Sequence, residues 1–145
     1  MATPTLYSDI YDLFFGMTSD YEFLSLASIV QNEILEGWLL SAIGEFSDKC
    51  KVDLADRDIS LKQFNLSLSD KEKKVLAKLI LVEWLNPKLY TLSNLQNQLS
   101  SKDFNMFSPA NLLKEIRETH NQAKKDANRM ITSYSYSNFD PSKDL

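Results

Sequence analysis

The stretch from Ser69 to Pro87 constrains the fold more than any other part of the chain, because it is the most apolar and the most clearly bounded. Ser69 and Glu72 have the spacing of a capping box, in which each side chain accepts a hydrogen bond from the other residue's backbone N–H. Pro87 predicts the end of the helix, since proline disrupts a helix interior. We therefore expect a central helix that starts at Ser69 and stops at Pro87.

The interior of this helix is apolar on nearly every face. Between residues 75 and 85 only Lys78 and Glu83 are charged. Such a helix must be covered on most sides by the rest of the protein. The predicted core residues are Trp38, Val75, Leu76, Leu79, Ile80 and Trp84.

The composition favours helices over sheets. A chain of 145 residues suits one domain with a sizeable core. Its 3 Gly and 4 Pro are too few for the many turns of a β-sandwich or barrel. We expect an all-α fold, a small bundle of about four to five helices with a long irregular connection and an extended C-terminal tail.

Apolar residues recur at spacings of three and four in several segments, which predicts amphipathic helices. The segments are residues 6–17, about 26–46, about 87–99 and 109–133. In the last helix, Ser108 is the expected cap and Pro109 the first helical residue. This gives a helical domain over residues 1–133 and a docking tail over residues 134–145. The apolar seam of the last helix comprises Leu113, Ile116, His120, Ala123, Ala127, Met130 and Tyr134.

Residues 47–68 interrupt the helical pattern. Charged residues are followed by an alternation of apolar residues at Phe64, Leu66 and Leu68, which indicates an irregular connection that can contain a short extended segment. Connections of this length are commonly functional or ordered by a partner. We therefore expect an interaction surface here.

No group of residues has the pattern of a catalytic or cofactor site. His120 lies on an apolar seam without a nucleophile motif, and Cys50 is the single cysteine, so both are interpreted as packing residues. The carboxylates of residues 53–58 lack the spacing of an EF-hand loop, which favours turn and cap roles over metal binding. We expect no enzyme activity, no cofactor and no metal site.

The N-terminus lacks the pattern of a secretory signal, and no run reaches the roughly 18 consecutive apolar residues that a membrane span requires. With a single cysteine, an intracellular protein without a membrane partner is expected.

The formal net charge of −4 is unevenly distributed. Residues 1–60 carry three basic and eleven acidic side chains, whereas residues 61–145 carry thirteen basic and nine acidic ones. Opposite signs in the two halves suit packing within the chain or head-to-tail association of identical copies. The candidates for an interface between copies are Asp53, Asp56, Asp58, Lys124, Lys125 and Arg129.

Aromatic residues mark the C-terminal tail. Terminal segments are commonly disordered, but Tyr134, Tyr136 and Phe139 supply apolar area that is useful in a groove on a partner. These three residues are the predicted partner-docking residues.

Several segments resemble a family of small helical proteins, the head–tail connectors of tailed bacteriophages, also described as neck, adaptor or head-completion proteins. The segments are DIYDLF at residues 9–14, DLADRD at 53–58, the central helix at 68–89, residues 101–118 and YSY at 134–136. None of them carries a catalytic signature.

The resemblance implies a structural protein of the virion neck, made in the host cytoplasm, that forms a ring beneath the portal and joins the DNA-filled head to the tail. It implies as partners the portal protein, the next neck or tail-completion protein, and further copies of the chain in a ring that is commonly dodecameric. DNA would pass through the channel without specific recognition. Residues Tyr134, Tyr136 and Phe139 would contact the portal.

The alternative hypothesis is a monomeric regulatory or nucleic-acid-associated helical module that contacts its partner through the basic helix 109–131. Basic and acidic residues are interleaved along this helix, which is typical of a solvated face and lacks the one-sided stripe of a phosphate-binding surface.

Overall fold

The computed structural model describes residues 3–18, 27–98 and 109–137, and within this part the fold is mostly helical, as predicted. The four helices are α1 (Tyr7–Met17), α2 (Ser28–Phe46), α3 (Asp70–Gln98) and α4 (Pro109–Ser137). Three two-residue strands, β1 (Thr5–Leu6), β2 (Arg57–Asp58) and β3 (Gln63–Phe64), form a small antiparallel sheet in the order β1-β3-β2.

The start of α3 has the predicted capping box. The backbone N–H of Ser69 donates to Glu72 Oε1 at 2.7 Å, and the N–H of Glu72 donates to Ser69 Oγ at 3.2 Å. Both contacts satisfy backbone donors that have no partner within the first turn of a helix. The sequence pattern therefore located this helix start within one residue.

The end predicted for the central helix is wrong. Pro87 lies inside α3, which continues to Gln98 and includes the segment that we expected to form a separate short helix. The φ angle of proline is compatible with a helix, so the local cost is one missing hydrogen bond and a clash, about 3 kcal/mol. The extensive packing of α3 against α4 provides the tertiary contacts that can offset this cost.

Helices α3 and α4 pack antiparallel. Tyr134 near the end of α4 contacts Glu72 at the start of α3, and Asp126 lies 3.7 Å from Lys78 one and a half turns further along. Ala123 and Ala127 are buried in the contact, where their small side chains allow the close approach that the seam predicted. His120 is half-buried on the same seam.

The boundary expected after residue 133 also needs correction. Helix α4 continues to Ser137, so Tyr134 and Tyr136 belong to the helix rather than to an extended tail. The buried side chain of Tyr134 extends the packed seam by another turn beyond Met130, which keeps the helical conformation favourable. Residues 138–145 lie outside the described part of the chain.

The core is built from α1, α2 and α3, with α4 packed along α3. Among the predicted core residues, Val75, Leu76, Leu79 and Ile80 are at most 4% exposed. Trp38 and Trp84 are half-buried at the edge of the core, where each ring packs against Phe14 with 6.2 Å between ring centroids.

The connection between α2 and α3 contains the β2–β3 hairpin. Thr5 pairs with Phe64 and Asp58 pairs with Gln63, so the hairpin is joined to the segment before α1. Phe64 is fully buried and packs edge-on against Tyr7. The short extended segment expected around Phe64 is therefore present.

None of the helices in the described ranges has a stretch long and apolar enough to cross a lipid bilayer.

Candidate functional site

Three described regions near the end of α4 and in the α2–α3 connection are candidates for a site. The first is a partly buried polar cluster of Cys50, Ser69, Glu72 and Tyr134, called the Glu72 cluster below. The second is a pair of depressions on either side of the end of α4. The third is the turn of the β2–β3 hairpin, residues 59–62.

The Glu72 cluster joins the start of α3, the end of α4 and the segment after α2. The hydroxyl of Tyr134 donates to Glu72 Oε2 at 2.6 Å and accepts the backbone N–H of Lys51 at 2.9 Å. The thiol of Cys50 lies 3.5 Å from the same Glu72 oxygen. Glu72 and Tyr134 are each 4% exposed, so a charged carboxylate is held inside the protein by several donors.

Burial and hydrogen bonding act in opposite directions on the pKa of Glu72. Burial is the largest single influence and raises it, but the hydrogen bonds from Tyr134, Ser69 and Cys50 together leave the pKa below its ordinary value. The carboxylate is therefore ionised at neutral pH. This charge strengthens its hydrogen bond from Tyr134.

The other two titratable groups of the cluster are held in their neutral forms. Burial raises the pKa of the Cys50 thiol to about 11, and the Glu72 carboxylate contributes in the same direction. Burial and the hydrogen bond to Glu72 likewise raise the pKa of Tyr134 far above its ordinary value. A neutral, half-buried thiol is a poor nucleophile, so the cluster acts as a structural connection between three segments.

Tyr134 is thus not available for the docking role expected from the sequence. Its ring is buried and packs edge-on against Phe46 with 5.2 Å between centroids, and its hydroxyl is used within the chain. Tyr136 is 78% exposed at the end of the same helix. Phe139, the third predicted docking residue, lies outside the described ranges.

A cleft of about 430 Å³ lies beside the end of α4, and Tyr136 forms part of its wall. Ile131 supplies apolar surface on the same helix, and Lys49 lines the side formed by the segment after α2. This cleft combines an exposed aromatic ring, an apolar side chain and a basic group. Such a combination is frequent where protein partners bind.

A second depression, called the basic groove below, lies between α3 and α4 and has a volume of about 270 Å³. Its apolar lining residues are half-buried Met130 and the largely buried Val75 and Tyr134. The exposed side chains of Lys71, Lys74 and Arg129 also line it. Sequence reasoning included Arg129 among the interface candidates but missed the two lysines, because the groove forms only when the two helices pack.

The acidic interface candidates lie in and before the β2–β3 hairpin. Asp53 Oδ1 accepts the N–H of Ala55 at 3.0 Å, and Asp56 Oδ1 accepts from the Asn65 side chain at 2.8 Å. Asp58 Oδ1 accepts the N–H of Leu61 at 3.0 Å. Asp53 and Asp58 therefore stabilise turns, as the sequence suggested, whereas Asp56 joins the two sides of the hairpin at its base. Asp53 and Asp56 remain exposed.

The hairpin turn presents two aliphatic side chains that sequence reasoning missed. Ile59 is 67% exposed and Leu61 is 63% exposed, although isoleucine and leucine are among the most hydrophobic and most often buried residue types. The only signal in the sequence is their presence within a polar, charged connection.

Lys124 and Lys125, the remaining interface candidates, are exposed on α4 and do not line the basic groove.

His120 is half-buried on the seam of α4, and its Nε2 is a buried atom without a hydrogen-bond partner among the described residues. It lies on α4 towards Glu83 of α3, whose pKa is raised by burial and by the nearby Glu45 carboxylate. Across residues 3–18, 27–98 and 109–137, no three His, Cys, Asp or Glu side chains are placed to hold a metal ion.

Comparison of the chain with family models, with curated proteins and with solved structures gave no match.

Proposed function

We propose that this chain is a structural protein of a bacteriophage neck, which forms a ring under the portal and joins the DNA-filled head to the tail. The proposal begins from the sequence resemblance to head–tail connectors. The structural observation that supports it most directly is the end of α4, where exposed Tyr136 stands on a helix that is fixed by buried Tyr134.

A fixed helix end lowers the entropic cost of binding. The bonds from Tyr134 to Glu72 and from Lys51 to Tyr134 hold the last turns of α4 against α3 and the segment after α2. Tyr136 is therefore presented from an ordered support, and an aromatic ring contributes a large contact area with few rotatable bonds. This arrangement suits docking of the C-terminal residues, including Phe139, on the portal.

The charge distribution suits the other contacts of such a ring. The α2–α3 connection exposes carboxylates and α3 and α4 expose amines, and opposite charges of this kind favour contacts between neighbouring copies. Acidic groups that faced the channel would repel the DNA backbone and let it pass without specific recognition. The proposed partners are the portal protein, the next neck or tail-completion protein and further copies. The role is structural, without catalysis or a cofactor, in the virion neck after synthesis in the host cytoplasm.

The test uses two changes at the end of α4 that leave the Glu72 cluster intact. Tyr136→Ser and a truncation after Ser137 should each keep the fold, measured by circular dichroism, and should each reduce binding to purified portal and joining of heads to tails. Truncation before Tyr134 is unsuitable, since it would remove the buried hydrogen bonds. Leu40→Ser, at a side chain 46% exposed on α2, serves as the matched control. Normal joining with both variants would overturn the docking role.

A nucleic-acid-associated helical module remains the second candidate. The exposure of Lys124, Lys125 and Arg129 on α4 favours it. Half-buried Asp126 lies 3.7 Å from both Lys78 and Arg129, and neither Lys124 nor Lys125 forms an ion pair with a described residue. Salt-dependent binding to duplex DNA, lost on replacing these three residues by Gln, would support this module. Absence of a mobility shift at low salt would discard it.

A further inference from the structure

We propose that the hairpin tip of one copy, residues 59–62, docks into the basic groove of a second copy. This inference rests on the proposed function only for the expectation that copies of the chain associate. It names the two surfaces that meet, one on the α2–α3 connection and the other between α3 and α4.

The hairpin tip is an ordered turn that exposes two aliphatic side chains to solvent. Ile59 and Leu61 are 67% and 63% exposed. The Asp58 carboxylate accepts a hydrogen bond from the backbone N–H of Leu61. Lys62 adopts a positive φ of 52°, which closes the turn.

An ion pair also fixes the tip from the side. Lys62 Nζ lies 2.8 Å from Glu36 Oε2 and 2.9 Å from Glu36 Oε1 on α2. The two aliphatic side chains are thus exposed on an ordered turn, so that docking would require little further ordering.

The connection that carries the tip has an excess of acidic groups. Residues 53–62 contain three carboxylates, of Asp53, Asp56 and Asp58, against the two basic groups of Arg57 and Lys62, and Lys62 is paired with Glu36 of α2. A surface that receives this projection should therefore combine an apolar lining with basic groups that remain uncompensated.

The basic groove has these properties. Lys71 and Lys74 form no ion pair with any residue of the described ranges, and Arg129 has only a 3.7 Å contact with Asp126, which also faces Lys78. Half-buried Met130 and the largely buried side chains of Val75 and Tyr134 line the groove together with these cations. A cavity of about 150 Å³ accepts benzene, so a groove of about 270 Å³ has room for an aliphatic side chain.

A second copy is the proposed occupant because the groove combines apolar lining with uncompensated cations, which matches a tip that exposes aliphatic side chains on a connection rich in carboxylates. Ile59 and Leu61 remain 67% and 63% exposed, so neither side chain is buried against the described residues of its own chain. The tip and the groove are different surfaces, so the contact is heterologous and each copy can receive one neighbour and supply another. Such a contact closes into a ring when the rotation between copies allows it.

The first test measures self-association of the full chain by sedimentation velocity. The wild-type chain should associate with increasing concentration. Ile59→Ser/Leu61→Ser, the tip variant, and Lys71→Glu/Lys74→Glu, the groove variant, should each weaken association by at least about tenfold. All four substituted residues are exposed, and circular dichroism checks that the fold is kept. Ile29→Ser, at a side chain 73% exposed on α2, is the matched control for the tip variant, and Lys114→Glu/Arg117→Glu, at exposed side chains of α4 outside the groove, is the matched control for the groove variant. Both controls should associate like the wild type.

Mixing the two variants gives a sharper result than either variant alone. The tip variant keeps an intact groove and the groove variant keeps an intact tip, so one functional contact remains in the mixture. The expected product is a 1:1 heterodimer that does not grow further. A mixture that stays monomeric, or that forms the same large species as the wild type, would overturn the inference.

Cross-linking of the wild-type chain provides evidence that does not depend on any variant. A carboxyl-to-amine reagent applied to a mixture of isotopically light and heavy chains should join Asp53 or Asp56 of one copy to Lys71 or Lys74 of another. A wild-type chain that is monomeric at every concentration, or cross-links confined to single chains, would contradict the contact. Joining of heads to tails that is unaffected by the tip variant would reject this interface while leaving the proposed connector function in place.

Discussion

Tyr134 and Tyr136 are two residues apart on one helix, yet their environments are opposite. Tyr134 is 4% exposed and both donates and accepts a hydrogen bond within the chain, whereas Tyr136 is 78% exposed beside a cleft. Residues two apart on an α-helix lie roughly 200° apart around its axis. Tyr134 therefore contributes to the stability of the fold, whereas Tyr136 lies on the surface.

This comparison shows how the same residue type acquires different roles from its position on a helix. In an extended tail, both aromatic rings would have been available to a partner. In α4, the inner ring fixes the helix end through the Glu72 cluster, and the outer ring is presented from that support. The predictions below test the division, beginning with the largest expected effect.

Replacement of Tyr134 by Ala should cost about 3–5 kcal/mol in the free energy of unfolding, because it removes a buried aromatic ring and leaves a cavity between Phe46 and α3. Tyr136→Ala, the matched control, should change the free energy by no more than about 0.5 kcal/mol. Urea unfolding followed by circular dichroism measures both. Equal costs for the two variants would remove the distinction between an inner and an outer tyrosine.

Replacement of Glu72 by Ala should cost about 2–4 kcal/mol, because the capping box is lost and the buried hydroxyl of Tyr134 loses its acceptor. Lys73, the next residue on the helix, does not take part in the cluster, so Lys73→Ala provides a control at the same helix end. Urea unfolding of the two variants gives the comparison. If Glu72→Ala lowered the free energy of unfolding by less than the loss of a helix cap alone, the hydrogen bond from Tyr134 to this carboxylate would contribute nothing to stability.

Tyr134→Phe should cost about 1–2 kcal/mol, since the ring is kept but Glu72 loses a donor. In the wild type, the lowered pKa of Glu72 contributes stability that is present above the unfolded pKa of about 4.3 and is lost as the pH falls through the folded value. Loss of the Tyr134 hydroxyl removes one of the hydrogen bonds that lower the pKa of Glu72, so this pKa should rise towards its ordinary value. The variant should therefore lose less stability than the wild type on acidification below pH 5, as measured by urea midpoints across that range.

Cys50 should show the smallest effect on stability, within about 1 kcal/mol for Cys50→Ala, because its thiol is half-buried and only weakly bonded to Glu72. The same thiol should react with iodoacetamide on the order of a hundredfold more slowly than a thiol of ordinary pKa at pH 7. The reason is its raised pKa of about 11. The contribution of the neutral Cys50 thiol to the free energy of unfolding is present below the pKa that this thiol has in the unfolded chain, and it is lost as the pH rises through the folded value of about 11. Rapid labelling of the folded wild type would contradict the proposed burial.

Local patterns in the sequence were sufficient for several elements of the fold. The Ser69–Glu72 spacing located the start of α3, and the periodicity of apolar residues predicted α1, α2 and the seam of α4. These features depend on residues within one or two turns of each other. The candidate site was predicted less well, because the basic groove combines Lys71 and Lys74 with Arg129, more than fifty positions away.

By itself the sequence determined the helical class, the helix starts and which face of α4 packs, since capping and periodicity are local properties of the chain. Tertiary structure alone decided that α3 continues through Pro87, that Tyr134 bonds Glu72, and that the hairpin exposes Ile59 and Leu61. Each of these outcomes depends on contacts between segments that are distant along the chain. Packing energies of this kind can outweigh a local preference of a few kcal/mol. For this reason the position in the fold, and not the residue type, decided that Tyr134 stabilises the helix end and that Tyr136 is exposed.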